Sequence, residues 1–266
     1  MTSSSPRAEL LSIIVPVYNE VRTVRSVIER LIAIDLPVAR EIIIVNDGST
    51  DGTREVLEGI GSLSSRASGR PEPVEGRESG VGNPEPAAGS RQSVATIRVI
   101  HVEQNAGKGA AIRRGFNEAG GTIVAIQDAD LELDPQQLST LVAPILRGEA
   151  DVVYGSRFLA GRPAAPWITI AANRTLTAAT NVLFGSSITD METCYKIMRT
   201  NVARSLQLDA NRFDIEPQIT ARVLRRGHRI HELPVKFEPR SRAQGKKIGW
   251  RDGVRALEVL FKERFR

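Results

Sequence analysis

The spacing of apolar positions along the chain changes between two patterns, one typical of strands and one typical of helices. Short runs of β-branched and aliphatic residues end at Gly, Asn or Asp, and stretches with apolar residues three and four positions apart lie between them. Strands are predicted at Leu10–Val17, Glu41–Asn46, Thr96–Val102, Thr122–Gln127 and Asp151–Gly155. Helices are predicted at Val21–Ile34, Gly52–Ile60, Gly107–Ala119 and Pro135–Arg147. This order predicts an α/β, Rossmann-like fold with a mostly parallel sheet and helices on both of its faces.

The regular alternation weakens after Ser156, which predicts a smaller C-terminal region. Helices are expected at Ala165–Phe184, Ile215–Arg226 and Trp250–Phe265, and strands at Cys194–Met198 and Arg229–Phe237. Pro234 interrupts the last strand, as is typical of a strand at the edge of a sheet.

One segment does not fit this pattern. Gly61–Ala95 has 17 Gly, Pro or Ser among 35 residues and no aromatic residue. Such a composition cannot bury enough apolar surface to offset the entropy lost on ordering. We therefore predict a main domain over residues 10–240, with a disordered insertion at 61–95. A flexible N-terminus at 1–9 and a basic tail at 241–266 flank this domain.

Composition limits the class of protein. Hydrophobic residues make up 41% of the 266 residues, and no apolar run approaches the roughly 18–20 residues that span a bilayer. Residues 1–9 are rich in Ser and have no apolar core of a signal peptide. The single Cys194 excludes an intramolecular disulfide and fits a reducing compartment. A cytoplasmic protein is expected.

The most informative motif is the acidic run that follows the fourth predicted strand. Asp128 and Asp130 would lie at the carboxyl edge of the sheet, where open α/β folds bind ligands. Two neighbouring carboxylates repel each other unless a cation lies between them, and oxygen ligands favour Mg²⁺ or Mn²⁺. The alternative is an acidic loop in which Asp134 caps the next helix ahead of Pro135.

Two other turns carry candidate binding groups. Asp47 ends the second strand, where an acid can accept hydrogen bonds from a nucleoside or can simply make the turn, as Asp51 can. Lys108 lies at the start of a predicted helix, which suits an anion or a nucleobase edge. The spacing is not that of a P-loop, because Gly109 stands where that motif has a hydroxyl.

The net charge of +5 is concentrated at the C-terminus, where residues 240–266 have nine Lys or Arg and three Asp or Glu. Such a tail could bind nucleic acid, an anionic membrane surface or a phosphorylated substrate, or could simply be solvated. The helix from Trp250 could lie on a membrane or pack on the domain.

Taken together, five ordered motifs resemble glycosyltransferase family 2, in particular its dolichyl- and polyprenyl-phosphate mannose synthase-like branch. The resemblance covers roughly residues 10–250 apart from the insertion. The motifs are Val15–Glu20, Val45–Gly52, Asn105–Gly109, Asp128–Asp130 and Gly155–Arg157.

The resemblance implies a GT-A fold and an inverting, metal-dependent transfer of a hexose from GDP-mannose or UDP-glucose to a polyprenyl or dolichyl phosphate. It implies that the donor is bound by Pro16, Tyr18, Glu20, Asp47, Lys108 and Asp128. The Mg²⁺ or Mn²⁺ ion would be held by Asp128, Asp130 and Glu132, the last standing where the family often has Gln. The acceptor phosphate would contact Arg157, Arg174, Arg240, Lys246 and Lys247.

The chain departs from that branch at residues 190–196, where Asp-Met-Glu-Thr-Cys-Tyr-Lys replaces a Ser-Gly-Phe-Arg type of sequence. An acceptor phosphate is already anionic and needs cations more than a base. A soluble hydroxyl acceptor would need a general base, for which Asp190 and Glu192 are candidates. Asp130, Arg157, Asp190 and Glu192 are thus the expected catalytic residues. The alternatives are a hydroxyl acceptor and a basic nucleic-acid-binding module, against which the low aromatic content (5%) argues. We therefore expect a nucleotide-sugar donor and a polyprenyl-phosphate acceptor, with peripheral contact to the inner face of the membrane and no nucleic-acid partner.

Overall fold

The computed structural model describes residues 8–67, 96–239 and 250–266, with side chains described for residues 8–60, 96–239 and 252–266. The strands are β1 (Leu10–Val17), β2 (Ala39–Asp47), β3 (Thr96–Val102), β4 (Ile123–Ile126), β5 (Val152–Ser156), β6 (Lys196–Arg199) and β7 (Ile230–Pro234). The helices of the first half are α1 (Val24–Ala33), α2 (Thr53–Ala67), α3 (Lys108–Glu118) and α4 (Leu138–Leu146). Those of the second half are α5 (Trp167–Phe184), α6 (Thr200–Ser205), α7 (Ile215–Arg225) and α8 (Trp250–Phe265).

The seven strands form one mixed sheet in the order β3-β2-β1-β4-β6-β5-β7. All neighbouring pairs are parallel except those of β6, which runs antiparallel to both β4 and β5. The predicted α/β, mostly parallel GT-A architecture is confirmed. The antiparallel β6 was not predicted, because the direction in which a strand pairs depends on contacts distant in sequence.

Two local predictions differ from the structure, and one short helix was not predicted. Helix α2 continues to Ala67, so the first seven residues of the segment predicted to be disordered are helical. Residues 68–95 of that segment lie outside the described part of the chain. The single helix expected at Pro135–Arg147 is a 3₁₀ turn at Pro135–Gln137 followed by α4. The short α6 was not predicted.

The sheet is the centre of the main core. Every residue of β4 is buried, and so is all of β1 except its first residue. These strands are therefore mostly apolar along their length and do not alternate between apolar and polar residues. A second, smaller core joins α5, α7 and α8, and its buried members are Leu176, Ile188, Met191, Ala221, Ala256 and Leu260. This second core corresponds to the smaller C-terminal region that the sequence predicts.

Helix α8 packs on the domain, one of the two alternatives for this segment. Ala256, Leu260 and Glu263 are almost fully buried, whereas Val254 and Phe261 on the same helix are about half exposed. Among the described residues, no helix is both long enough and apolar enough to cross a membrane.

Candidate active site

The candidate active site lies where the order of the sheet reverses. From β1 the chain proceeds outward to β2 and β3, and β4 then returns to pair with the other side of β1. The carboxyl ends of β1 and β4 are therefore neighbours at the switch point, where open α/β sheets form a ligand-binding crevice. The backbone N–H of Gln127 donates to Ile14 O at 2.9 Å and continues this pairing beyond β4.

The turns after β1 and β2 are tied together. Asn19 donates its N–H to Ser49 Oγ (3.0 Å) and accepts at Oδ1 from the N–H of Thr50 (2.8 Å). The N–H of Glu20 donates to Thr53 Oγ1 (3.0 Å). Asn19 has φ = 53°, a left-handed conformation that asparagine tolerates better than most residues. The Pro16–Glu20 segment, predicted to bind the nucleoside, is thus held in one shape.

Asp47 holds a third loop against these two. Its Oδ1 accepts from the N–H of Ala106 (3.0 Å) and its Oδ2 from the N–H of Gly107 (2.7 Å). Gly107 has φ = +103°, and a Cβ there would lie 2.4 Å from Asn211 O, so only glycine fits. Asp47 is 2% exposed. The structure therefore shows Asp47 fixing the loop before α3, and its contact with a nucleoside stays a prediction.

The acidic run after β4 forms a strained turn. Leu131 has φ = +62°, which is uncommon for a branched side chain, and the turn directs the N–H of Glu132 to Asp130 Oδ1 at 3.1 Å. Glu132 O accepts from the N–H of Glu238 (2.9 Å), so the segment after β7 lies against the turn. Within the described residues, no group of three or more Asp, Glu, His or Cys side chains is arranged to hold a metal ion. The predicted set of Asp128, Asp130 and Glu132 is therefore not a complete cage on its own.

Hydrogen bonds made by a buried glutamine and a buried tyrosine hold this turn in place. Gln127 Nε2 donates to Asp128 O (3.0 Å) and to Leu133 O (3.2 Å). Tyr195 donates its hydroxyl to Gln127 Oε1, at 2.7 Å. Because Gln127 and Tyr195 have no exposed surface, the backbone on both sides of Asp130 is fixed by groups that water cannot reach.

Lys108 faces two carboxylates. Its Nζ lies 2.8 Å from Asp128 Oδ1 and 3.0 Å from Glu216 Oε1, and its side chain is 14% exposed. Burial alone would lower the pKa of Lys108, but the charges of Asp128 and Glu216 outweigh it and the pKa lies well above its usual value. Lys108 is thus charged and forms an ion pair with the acidic turn, and its contact with the donor stays a prediction.

Arg157 and Asp190 form the most extensive ion pair of the site. Arg157 Nε donates to Asp190 Oδ2 and Nη2 to Oδ1, both at 2.7 Å, and the backbone N–H of Arg157 also donates to Oδ2 at 3.0 Å. The guanidinium lies 5.2 Å from the centre of the Phe237 ring. Asp190 is fully buried, and its own N–H donates to Glu232 Oε1 (3.1 Å). Asp190 therefore fixes the orientation of the Arg157 guanidinium, and its role as a general base stays a prediction.

The pKa of the Glu192 carboxyl group lies far above its usual value. Burial raises its pKa to about 7, against the opposing charges of Lys196 and Arg157. Its Oε1 is buried and accepts no hydrogen bond from the described part of the protein. Glu192 is therefore a candidate base whose protonation state is poised near neutral pH.

The structure brings several of the predicted site residues together. Glu132 and Glu192 both lie within electrostatic reach of Arg157, so the acidic turn and the Arg157–Asp190 pair face one site. Arg174 lies on α5 and stacks over the ring of Phe158, 5.6 Å from its centre. Arg240, Lys246 and Lys247 lie outside the described residues.

Four supporting residues were not predicted, namely Glu216, Lys196, Glu232 and Tyr195. Glu216 lies in the first turn of α7, where acidic residues are common because they interact favourably with the helix dipole. Its sequence position therefore gives no sign of a functional role. Lys196 could have been identified from the sequence, because a lysine within a predicted buried strand is rarely buried unless it has a charged partner.

The family is shown by a direct match. The chain belongs to glycosyltransferase family 2, because the model described as "Glycosyl transferase family 2" matches residues 12–74 and 84–206. The resemblance inferred from the five motifs is thereby confirmed. The membership also favours an enzyme over the nucleic-acid-binding alternative.

Two similar proteins are sugar transferases, one of which is named for undecaprenyl phosphate. An undecaprenyl-phosphate mannosyltransferase of Micrococcus luteus is 26% identical over 92% of this chain and 90% of its own length. Glycosyltransferase AglD of Haloferax volcanii is 26% identical over 86% of this chain, and the matched region spans only 33% of AglD.

A solved structure resembles the whole described fold. The glucosyl-3-phosphoglycerate synthase of Mycobacterium tuberculosis, in complex with Mg²⁺ and UDP, superposes with a TM-score of 0.66 and 19% identity. The superposition covers 97% of this chain and 80% of that one. At this identity the likeness establishes the fold and leaves the substrates open.

Proposed function

We propose that this chain transfers a hexose from a nucleoside-diphosphate sugar to a polyprenyl phosphate, with inversion at the anomeric carbon. The observation that carries the proposal is that the acidic turn after β4 lies near the Arg157–Asp190 pair, since the charge of Glu132 in this turn acts on Arg157. A carboxylate turn suits a metal–diphosphate, and an oriented guanidinium suits a second phosphate. The similarity to an undecaprenyl-phosphate mannosyltransferase supports the same assignment.

On the donor side, the fixed segment Pro16–Glu20 and Asp47 would line the nucleoside, as the resemblance implies. Asp128 and Asp130 supply oxygen ligands of the kind that Mg²⁺ and Mn²⁺ prefer. A Mg²⁺-type site is usually completed by substrate phosphates and water, so these two carboxylates would not have to form a full set of ligands. A divalent cation bound there would stabilise negative charge on the leaving diphosphate.

On the acceptor side, the attacking oxygen of a polyprenyl phosphate is already anionic at neutral pH, so cations must position it. Arg157 is pre-oriented by Asp190 and by the Phe237 ring. Arg174 would add a second cation from α5. Glu238 contacts the acidic turn, and Arg240, Lys246 and Lys247 follow it within ten residues of the chain. We assign these basic residues to the acceptor phosphate.

Contact with a bilayer surface would follow from a lipid acceptor. Helix α8 buries one face and exposes Val254, Phe261 and Phe265, the last at 80%. Helix α5 exposes Trp167 and Ile168 by more than 60%. Apolar side chains with nearby lysine and arginine are typical of helices that lie on anionic membranes. Sedimentation with vesicles containing anionic lipid tests this: Phe261→Ser/Phe265→Ser should reduce binding, and unchanged binding would remove the membrane assignment.

A second candidate function has a hydroxyl group as the acceptor. It is favoured by Glu192, whose pKa of about 7 suits a general base at neutral pH. The structural likeness to a glucosyl-3-phosphoglycerate synthase makes phosphoglycerate a useful test acceptor.

The donor half of the proposal is tested by calorimetric titration with GDP and with UDP, each with Mn²⁺. We expect one of the two nucleotides to bind, and to bind more weakly when EDTA replaces Mn²⁺. Absence of binding by both nucleotides would contradict the proposed class of donor.

A further inference from the structure

We infer that Glu216 is a positioning residue for the donor diphosphate and acts by orienting Lys108 toward Asp128. The inference rests on the proposed function, since it assigns Asp128 to the metal–diphosphate. It adds a residue that lies on a different helix from any of the five motifs and that the motifs do not identify.

The first observation is a continuous chain of alternating charges. Lys108 Nζ lies between Asp128 and Glu216, at 2.8 Å and 3.0 Å. The other carboxylate oxygen of Glu216 is 2.5 Å from Lys196 Nζ. Lys196 also donates to the backbone oxygens of Met191 and Thr193. Glu216 therefore links the helix that begins at Lys108 to the loop that contains Glu192.

The second observation is burial. The side chains of Lys196 and Glu216 are 0% and 5% exposed. A buried charge is costly unless it is paired, and here each charge of the chain faces an opposite one. Lys196 thus compensates one side of Glu216, and the other oxygen, which accepts no hydrogen bond from the described residues, lies 3.0 Å from the charged Lys108 Nζ.

The third observation is the local backbone. Gly107 and Gly109 pack against Asn211 and Ala210, where an added Cβ would meet carbonyl oxygens at 2.4 Å and 2.5 Å. The N–H of Ala110 donates to Asn211 O at 3.0 Å. The start of α3 is therefore pressed onto the segment that leads into α7, which brings Lys108 and Glu216 together.

The chemical consequence concerns Asp128. A carboxylate that binds a metal is usually oriented by a partner outside the metal's ligands, and losing such a partner typically costs about 10- to 100-fold in metal affinity or activity. Lys108 is that partner for Asp128, and Glu216 fixes where Lys108 points. Glu216 itself has no place among the metal ligands in this assignment.

The test measures binding of GDP and of UDP in the presence of Mn²⁺ by calorimetry, without acceptor or turnover. The variants of the full chain are Glu216→Gln, Lys108→Gln, the double variant, and Glu263→Gln as the matched control. Glu263 is also a buried glutamate paired with arginines, namely Arg222, Arg225 and Arg266, and it lies outside the site. Thermal unfolding of each variant is recorded alongside.

We expect Glu216→Gln and Lys108→Gln each to weaken binding about 10- to 100-fold. The double variant should bind no more weakly than Lys108→Gln alone, because Glu216 acts through Lys108. Glu263→Gln should stay within about threefold of the unmodified chain, as distant sites do. If Glu216→Gln does not fold, Glu216→Asp retains the charge but shortens its reach to Lys108, and it should show the same weakening.

Two results would overturn the inference: binding by the Glu216 variant within about threefold of the unmodified chain, or losses that add fully in the double variant. Failure of the unmodified chain to bind either nucleotide would instead contradict the proposed function, so the two failures are distinguishable.

Discussion

Asp190 accepts three hydrogen bonds from Arg157, two from the guanidinium at 2.7 Å and one from the backbone at 3.0 Å. Both side chains lie in the site, with exposures of 13% and 0%. The planar fork of arginine matches a carboxylate in a way that lysine cannot, so this pair fixes direction as well as charge.

The first prediction concerns that pair. Arg157→Lys should lower the free energy of unfolding by about 2 kcal/mol, since at least one charged hydrogen bond to the buried Asp190 is lost. It should also raise the KM for the acceptor while leaving nucleotide binding unchanged. Urea unfolding and steady-state kinetics measure the two effects.

Arg147→Lys is the matched control. Arg147 contacts Glu149 through the same two-pronged geometry, at 2.7 Å and 2.8 Å, but both side chains are more than half exposed. Little change is expected there, because water screens the pair. Equal effects of the two substitutions would contradict a special role for Arg157.

The second prediction distinguishes a catalytic role of the acidic turn from the alternative that this loop only caps the following helix. Asp130→Asn should lower kcat by about 10²- to 10³-fold, as expected for removing one stabilising group at the reacting charge. Asp134→Asn should leave the rate unchanged, because Asp134 caps the 3₁₀ turn by accepting from the N–H of Gln136, and Asn caps equally well. Loss of activity in both variants would indicate a merely structural acidic loop.

Features that depend on residues close together in sequence could be predicted, and features that depend on contacts between distant residues could not. Buried strands such as β1 and β4 were predictable because their apolar runs are local and end at turn residues. The direction of β6 was not, because Ile197 pairs with Ala125 and Val153 on two strands that are distant in sequence.

The same limit applies to the site. Asp128, Asp130 and Arg157 could be proposed as candidates because each lies shortly after the end of a strand of the sheet. Glu216 and Glu232 could not, because an acid in a helix or an edge strand has no distinctive local pattern. Asp190 was identified as a candidate base, and its hydrogen bonds to Arg157 could not be predicted because the two residues are 33 positions apart in sequence.

The third prediction uses the raised pKa of Glu192. The pKa lies at about 7 in the folded chain, above the usual 4.5, so between these values the folded state binds a proton that the unfolded state has lost. The contribution of this group to stability therefore falls as pH rises through that window. Glu192→Gln cannot titrate, so its Tm relative to the unmodified chain should increase from pH 5 to pH 8. A constant difference in Tm would show that the Glu192 pKa is not raised.

The same residue separates the two candidate acceptors. With a hydroxyl acceptor, kcat/KM should rise up to about pH 7 as Glu192 loses its proton, and Glu192→Gln should be about 10²- to 10⁴-fold slower. With a polyprenyl phosphate, no proton has to be removed, and the Glu192→Gln variant should retain most of its rate. Rate measurements between pH 5.5 and 8.5 with each acceptor decide this point.

The fourth prediction concerns the loop held by Asp47. Gly107→Ala should lower nucleotide affinity and stability, because the new methyl group would lie 2.4 Å from Asn211 O at a φ of +103°. Gly148→Ala is the control: its φ is +71° but nothing lies within 4 Å, so it should cost only the backbone strain of about 1–2 kcal/mol. Calorimetric titration and urea unfolding compare them, and equal losses in the two variants would show that the close approach at Gly107 has no consequence.

The central claim is that a phosphate oxygen of a polyprenyl lipid receives the sugar. Its most direct measurement is a competition in one reaction, with Mn²⁺, GDP-mannose and UDP-glucose as donors, and undecaprenyl phosphate in micelles beside 3-phosphoglycerate. Mass spectrometry of the organic and aqueous phases then identifies the product. We predict an undecaprenyl-phosphate hexose in the organic phase and no glycosylated phosphoglycerate. Sugar found only on phosphoglycerate, or no lipid-linked sugar from either donor, would contradict the account.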